Sequence, residues 1–303
     1  MSGGWRKRAR TIALVTGSIA LVTCAQLAEG ENAQVLSPAL SALGIRSCWQ
    51  VWDDPAVDWS AFDLAVLRST WDYPADRHRF VAWAESVPRL ANAVDVVAWN
   101  SDKRYLRDVA AAGVPVVPSE WSDPGEPVDL PIGEFVVKPS VGAGSRGVGR
   151  FGPGAHAAAR SHVAALHDVF RAVMVQAYLA DVETAGEIAL IYLDGAFSHA
   201  VRKAAMLSEV TVHDVAPDGP TGLFVPERIT AHRPDPEELG LGGRVMALLR
   251  ERFGGDLLYA RIDVVPTPGA PVVLELELIE PSLFLQYDQD AAARFAAALR
   301  RRL

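Results

Sequence analysis

The chain has 303 residues, half of them hydrophobic and 22% charged, enough for two or three modest domains that share buried faces. A net charge of −8 argues against a general nucleic-acid binder, because phosphate backbones reward a basic surface. The two cysteines, Cys24 and Cys48, lack metal-type spacing and read as reduced, buried thiols of a cytoplasmic protein.

Arg6, Lys7, Arg8 and Arg10 precede an apolar run over residues 11–25, which imitates a secretion signal. Yet IALVT occurs twice, at 12–16 and 19–23, and the second copy runs into an amphipathic segment as a first βα unit should. The expectation is a disordered extension over 1–18 followed by a strand, with secretion as the alternative. Nothing else approaches the ~20 apolar residues that cross a bilayer.

Strands over 19–24, 46–51, 64–68 and 94–98 alternate with helices over 32–43 and 77–87. Gly44 stops the first helix and Pro88 follows the second. Such alternation implies a parallel sheet with covered faces, an N-terminal α/β domain over 19–99. A helix over 100–112, capped by Asn100 or Ser101 and stopped at Gly113, comes next. An extended stretch at 114–118 and an acidic, proline-rich loop at 123–131 lead into an apolar strand from 135. A helix over 156–171 carries Val163, Leu166, Val169 and Phe170 on one face. Strands follow at 173–179, 188–193 and 196–202, the last two joined by an Asp194-Gly195 turn. Residues 208–236 are polar and long enough for a lid or mobile loop. A helix over 237–253 has Leu239, Val245, Leu248 and Leu249 as its apolar stripe. A strand hairpin at 257–265 and 272–279 and a basic helix over 289–303 complete the chain.

Two constellations carry chemistry. The first is FVVKPSVGAGSRGVGRF at 135–151, a strand that delivers Lys138 into a loop with glycines at 142, 144, 147 and 149. Residues 142–147 match G-x-G-x-x-G, but a dinucleotide loop must open a helix, and here a strand continues through Phe151. A Walker A loop or a kinase loop needs its lysine after the glycines, whereas Lys138 precedes them. What remains is a glycine-rich hairpin lying over phosphates, with Lys138 reaching them from its strand.

The second constellation is ARIDVV at 260–265, followed by LELELIEPS at 274–282. Glu275 and Glu277 are two apart on a strand and share one face, and Asp263 faces the same way from the partner strand. Adjacent carboxylates repel unless a cation lies between them, which suits Mg²⁺, or Mn²⁺ in its place. The bland alternative is a solvated strand face. A third stretch, Arg68-Ser69-Thr70-Trp71-Asp72-Tyr73, follows a parallel strand at the edge where α/β sheets bind ligands. Arg68 could clamp a substrate carboxylate, Trp71 or Tyr73 could wall the pocket, and Ser69 and Asp72 belong to the same candidate site. A capped loop with Trp71 packed inward is the equal alternative. His199 and His213 read as structural.

These motifs carry a resemblance. NSDK at 100–103, VVKPSVGAGSRGV at 136–148, MVQAYL at 174–179 followed by Gly186-Glu187, and ARIDVV with LELELIEPS together resemble the ATP-grasp superfamily. Within it the chain is similar to glutathione-synthetase and RimK-like carboxylate–amine ligases. Through SAFDLAVLRSTWDY, WNSDKRYL and LELELIEPSLFL it resembles the cyclo-ligases of D-cycloserine biosynthesis.

The resemblance implies an ATP-grasp fold, α/β followed by α+β: a pre-ATP-grasp α/β domain, a central lid subdomain at 100–180 and a C-terminal subdomain at 181–303. It places Lys103 and Lys138 on ATP phosphates under a cover of Gly142, Gly144, Ser145 and Gly147. Gln176, Tyr178 and Leu179 would form a hinge whose backbone reads adenine. Glu187, with Glu183 as a second candidate, would bind ribose. Lys203 and Arg261 would stabilise the transferred phosphoryl group, while Asp263, Glu275 and Glu277 hold Mg²⁺. Relatives usually carry Glu-x-Asn where this chain has Glu275-x-Glu277, which leaves open which of Glu275, Glu277 and Glu280 are ligands. The implied activity is an ATP- and Mg²⁺-dependent ligase of antibiotic biosynthesis that forms C–N bonds and releases ADP and phosphate. Its substrate would be amino-acid-like, an O-ureido-serine cyclisation included, with no nucleic acid or membrane and a monomer or homodimer as the working unit. A nucleotide-binding regulatory protein without turnover is the alternative.

Overall fold

The computed structural model describes residues 17–144, 146–170, 172–205 and 228–303. Most of the N-terminal extension, Ser145, His213 and most of the expected 208–236 loop lie outside the described residues.

The chain begins with β1 (Gly17–Thr23), α1 (Ala33–Ala42), β2 (Ile45–Val51), β3 (Leu64–Ser69), α2 (Arg77–Ser86) and the short β4 (Leu90–Ala91). Their strands form a parallel sheet in the order β2-β1-β3-β4. Pleating sends Ile19 and Leu21 into one core with Leu36 and Leu40 of α1. Ala20 and Val22 enter another core with Phe80 and Ala84 of α2. Burial on both faces explains why β1 is an unbroken apolar run. Cys24 is buried, but Cys48 is exposed, because β2 is an edge strand with one side toward solvent.

Residues 94–98 are not the expected strand. They belong to the helix α3 (Val94–Asn100), and the strand propensity of its three valines yields to tertiary context. Asn100, expected as a cap, ends α3 and bonds Leu276 O and the Leu278 N–H with its amide. The next helix, α4 (Tyr105–Ala111), starts only after a turn and closes at Gly113, whose φ of +81° suits glycine.

A second sheet, antiparallel and ordered β5-β8-β6-β7, comprises β5 (Ser119–Ser122), β6 (Phe135–Pro139), β7 (Gly149–Phe151) and β8 (Val173–Ala177). The helix α5 (His156–Phe170) covers it through Ala159, Val163 and Leu166. Val169, expected on that stripe, is exposed, since the 3.6-residue pitch rotates it off the buried face.

After a short helix, α6 (Asp181–Ala185), come β9 (Glu187–Leu193), β10 (Ala196–Lys203), β11 (Ile229–His232), α7 (Pro236–Phe253), β12 (Tyr259–Val265), β13 (Val272–Glu277) and α8 (Ala291–Arg302). The third sheet is antiparallel in the order β11-β10-β9-β12-β13. Residues 229–232, expected within the loop, are therefore an edge strand, and Asp235 and Glu238 close a capping box at the start of α7. Leu241, Val245 and Leu249 of α7 face the sheet, whereas Leu239 lies outward on the other side of the helix. The hairpin Asp194-Gly195 has φ of 51° and 78°, the paired positive values of a type I′ turn. In α8, Phe295 and Leu299 share one core with Leu21 and Leu36 of the first layer and with Ile191 and Tyr259 of the third sheet. The C-terminal helix thereby joins the first sheet to the last.

Candidate active site

A cavity of about 560 Å³ opens where the three sheets meet. Strand periodicity decides what enters it. Across β12 and β13, Arg261 stands opposite Glu277 and Asp263 opposite Glu275, so all four share a face. Lys203 on β10 is opposite Glu187 on β9, and both line the same cavity.

These charges pair closely. Lys203 Nζ lies 2.8 Å from Asp263 and 2.9 Å from Glu187. The Arg261 guanidinium grips Asp263 with two bonds of 2.9 Å and also contacts Glu277. Lys103, from the turn before α4, is 3.0 Å from Glu275 and donates to Gly142 O at 2.8 Å. Lys138, carried in by β6, is 3.5 Å from Glu275.

Burial alone would push the Glu275 carboxyl up, but Lys103 and Lys138 draw it below the usual range. Burial pushes Glu277 up, and Arg261, shared with Asp263, offsets this only in part. Burial likewise pulls the Lys138 ammonium down against the attraction of Glu275. Among the described residues no three His, Cys, Asp or Glu side chains are grouped so as to hold a metal ion, since each acid here is turned toward a cation. Three hard oxygen donors on one wall nevertheless suit a divalent cation.

Gly142 and Gly144 line the cavity, as do Gln176, Tyr178 and Leu179. Gly147 does not reach the cavity; its carbonyl lies 2.9 Å from the buried His162 Nε2. Glu183 also faces elsewhere: it accepts from Arg150 at 2.5 Å and from the Tyr178 hydroxyl at 2.6 Å. The Arg150 guanidinium lies 3.7 Å over the Tyr178 ring and pairs with Glu134 at 2.6 Å. Trp71 and Tyr73 also line the cavity. Arg68 is fully buried and stops short of the cavity, pairing with Glu31 at 3.2 Å. Ser69 turns its hydroxyl inward to Thr23, and Asp72 accepts from the Trp52 indole N–H.

Sequence reasoning missed Glu31 and Ser282, both of which line the cavity. Burial pushes the Glu31 carboxyl up, with Arg68 and Ser282 pulling it back only in part. Its position just beyond β1, on the edge already singled out for residues 68–73, was the available signal.

The first layer matches a family described as D-cycloserine synthetase DcsG, N-terminal domain, over residues 19–92. Over 304 aligned residues the chain is 36% identical to the cycloserine biosynthesis protein DcsG of Streptomyces lavendulae, covering 95% of this chain and 99% of that protein. It belongs to the DcsG family. The crystal structure of D-cycloserine synthetase DcsG superposes with a TM-score of 0.84 at 36% identity, covering 94% of this chain and 99% of that one. A D-alanine–D-alanine ligase from Bacillus anthracis complexed with ATP gives 0.63 at 15% identity, covering 94% and 98%. The ATP-grasp ligase PsnB, complexed with a phosphomimetic variant of its minimal precursor, Mg and ADP, gives 0.60 at 17% identity, covering 95% and 99%. The fold of this DcsG-family member is ATP-grasp, and its activity is that of an ATP-dependent ligase forming C–N bonds. The regulatory-protein alternative is not favoured. Among the described residues no helix is long and apolar enough to cross a membrane.

Proposed function

We propose that the chain uses ATP to activate the carboxylate of an amino-acid-like substrate and closes a C–N bond within the same molecule, as in isoxazolidinone formation from O-ureido-serine. The observation that carries this reading is the row of Lys103, Lys138, Lys203 and Arg261 set against Asp263, Glu275 and Glu277 in one enclosed cavity. The name of the 36% identical relative supports the substrate class.

Within this reading the adenine lies against the hinge at Gln176, Tyr178 and Leu179, and the ribose meets Glu187. The triphosphate runs under the hairpin of Gly142 and Gly144 and draws Lys103 and Lys138 from Glu275. Mg²⁺, or Mn²⁺ in its place, would be held by Asp263, Glu275 and Glu277 and supplies charge neutralisation for the phosphates. Arg261 and Lys203 stabilise charge on the transferred phosphoryl group. A substrate carboxylate oxygen attacks the γ-phosphorus and ADP leaves. The ureido nitrogen bonded to oxygen then attacks the acyl carbon, gives up its proton, and phosphate departs. The hairpin keeps water from the acyl phosphate. One chain supplies every residue named, so a monomer or homodimer in the cytoplasm serves, and no nucleic acid takes part.

The test is phosphate release with Mg-ATP and the two enantiomers of O-ureido-serine, with the ring product followed by mass. Substrate-dependent release that Asp263→Asn abolishes supports the assignment. Release indifferent to substrate, or unaltered by that substitution, overturns it.

A further inference from the structure

Residues 278–283 lie beyond the last paired residue of β13, with a bend at Ile279 and Glu280, and side chains rather than a strand serve their carbonyl groups, one residue after another. Asn92 Nδ2 donates to Leu278 O at 2.8 Å, the Tyr259 hydroxyl stands 2.7 Å from Ile279 O, and Trp71 Nε1 donates to Glu280 O at 2.9 Å. Arg68 Nη2 donates to Pro281 O at 3.2 Å and Arg261 Nη1 to Ser282 O at 3.3 Å. His199 Nε2 meets Leu283 O at 2.9 Å and must carry the proton there, since a carbonyl only accepts. Arg68 lies on β3 of the first sheet, and Trp71 and Asn92 follow β3 and β4; Tyr259, Arg261 and His199 lie on β12 and β10 of the third.

Leu278 and Ile279 are both buried, and beyond the bend the side chains divide between two environments. Glu280 and Ser282 line the cavity, whereas Ile279 and Leu283 are buried in hydrophobic cores. A slip of one residue would carry the Glu280 carboxylate into the buried position of Ile279. In a paired strand the hydrogen-bond ladder prevents such a slip. Here the side-chain donors do that work. Arg68 has a second hold, because the same Nη2 lies 3.2 Å from Glu31, whose carboxylate lines the cavity. Its guanidinium is enclosed by the Tyr259 and Phe295 rings, 5.6 and 5.5 Å away.

We infer that Trp71 and Arg68 are positioning residues: they set the register of residues 278–283, and with it the place of Glu280 and Ser282 relative to Glu31. Residues of that wall line the cavity, which under the proposed ligase reading, on which this inference rests, receives the non-nucleotide substrate. Arg68 acts through Pro281 and Glu31 without touching that substrate.

Trp71→Phe keeps an aromatic wall and removes the N–H together with the five-membered ring that carries it. It is expected to raise KM for O-ureido-serine about tenfold and lower kcat several-fold, while KM for ATP stays within about twofold. Arg68→Lys, which keeps a charge beside Glu31 but lacks the planar fork, shows the same split. Amide hydrogen exchange at Glu280, Ser282 and Leu283 accelerates about tenfold or more in Trp71→Phe, with β12 still protected. Unchanged kinetics, or an equal rise in both KM values, overturns the inference. Should the wild-type chain leave O-ureido-serine untouched, the proposed reaction fails on its own account. Exchange at residues 280–283 then decides the register claim, and unaltered protection refutes it.

Discussion

Lys203 and Asp263 stand 2.8 Å apart, ammonium to carboxylate, on two strands that are not neighbours. They reach each other across β9, which contributes Glu187 to the same ammonium. Removing one member of an enclosed pair leaves the other charged and poorly solvated. Lys203→Met is therefore expected to lower the unfolding free energy by about 3 kcal/mol, near the low end for buried pairs because Arg261 still holds Asp263. Urea unfolding followed by circular dichroism measures it, and a loss below about 1 kcal/mol would mean that solvent already screens the pair.

Arg150 lies on β7 and Tyr178 just beyond β8, and the guanidinium lies over the ring. Arg150→Met removes that stacking and the ion pairs to Glu134 and Glu183 together. Freed from its cation, the Tyr178 ring should order the nucleotide end of the cavity less well. KM for ATP should rise about tenfold, equivalent to about 1.4 kcal/mol, with kcat nearly unchanged. Initial rates at saturating second substrate test this; a fall in kcat with constant KM contradicts it.

Gly186 joins α6 to β9 with φ of +72°, and a Cβ there would lie 2.5 Å from the Lys203 carbonyl oxygen. Backbone cannot give way as a flexible side chain can. Gly186→Ala should cost about 2–3 kcal/mol of stability and displace Glu187 and Lys203 together. Thermal unfolding reads the first effect and ATP titration calorimetry the second; wild-type values in both would show that the turn relaxes freely.

Asp194 accepts from Arg301 at 2.7 Å and from Arg302 at 2.6 Å, tying the β9–β10 turn to α8. Partial burial opposes ionisation, but the two guanidinium groups prevail and hold its carboxyl below the ordinary aspartate value of 3.8. A depressed folded pKa means the stabilisation is complete above the unfolded value and fades as pH falls through the folded one. Asp194→Asn preserves the positive-φ turn, so it should cost about 1 kcal/mol or less at pH 7, after solvent screening. That difference should close on acidification below pH 3.8. Melts of both proteins across the acid range check it, and a gap that persists in acid would assign the effect to something other than charge.

Local signals in the sequence were sufficient for most elements. An apolar run buried on both faces identified β1, Asp194-Gly195 identified a hairpin, and the two-residue spacing of Glu275 and Glu277 put both on one face. The resemblance to ATP-grasp ligases rested on the order of motifs, and order survives in a linear chain. Other features were not legible because they depend on partners far away in the chain. Val94–Asn100 became a helix despite its valines, with Asn100 bonding the end of β13. Glu183, two residues from α6's end, turned to Arg150 rather than into the cavity.

By itself, then, the sequence determined which residue types could meet phosphate and a divalent cation, because side-chain chemistry and strand periodicity are local properties. Tertiary structure alone decided which of them face one another. It enclosed Arg68 between two aromatic rings and a carbonyl more than two hundred residues downstream, and it brought Glu31 to the cavity instead. Such pairings come from the packing of three sheets around shared cores, and no spacing along the chain encodes that geometry.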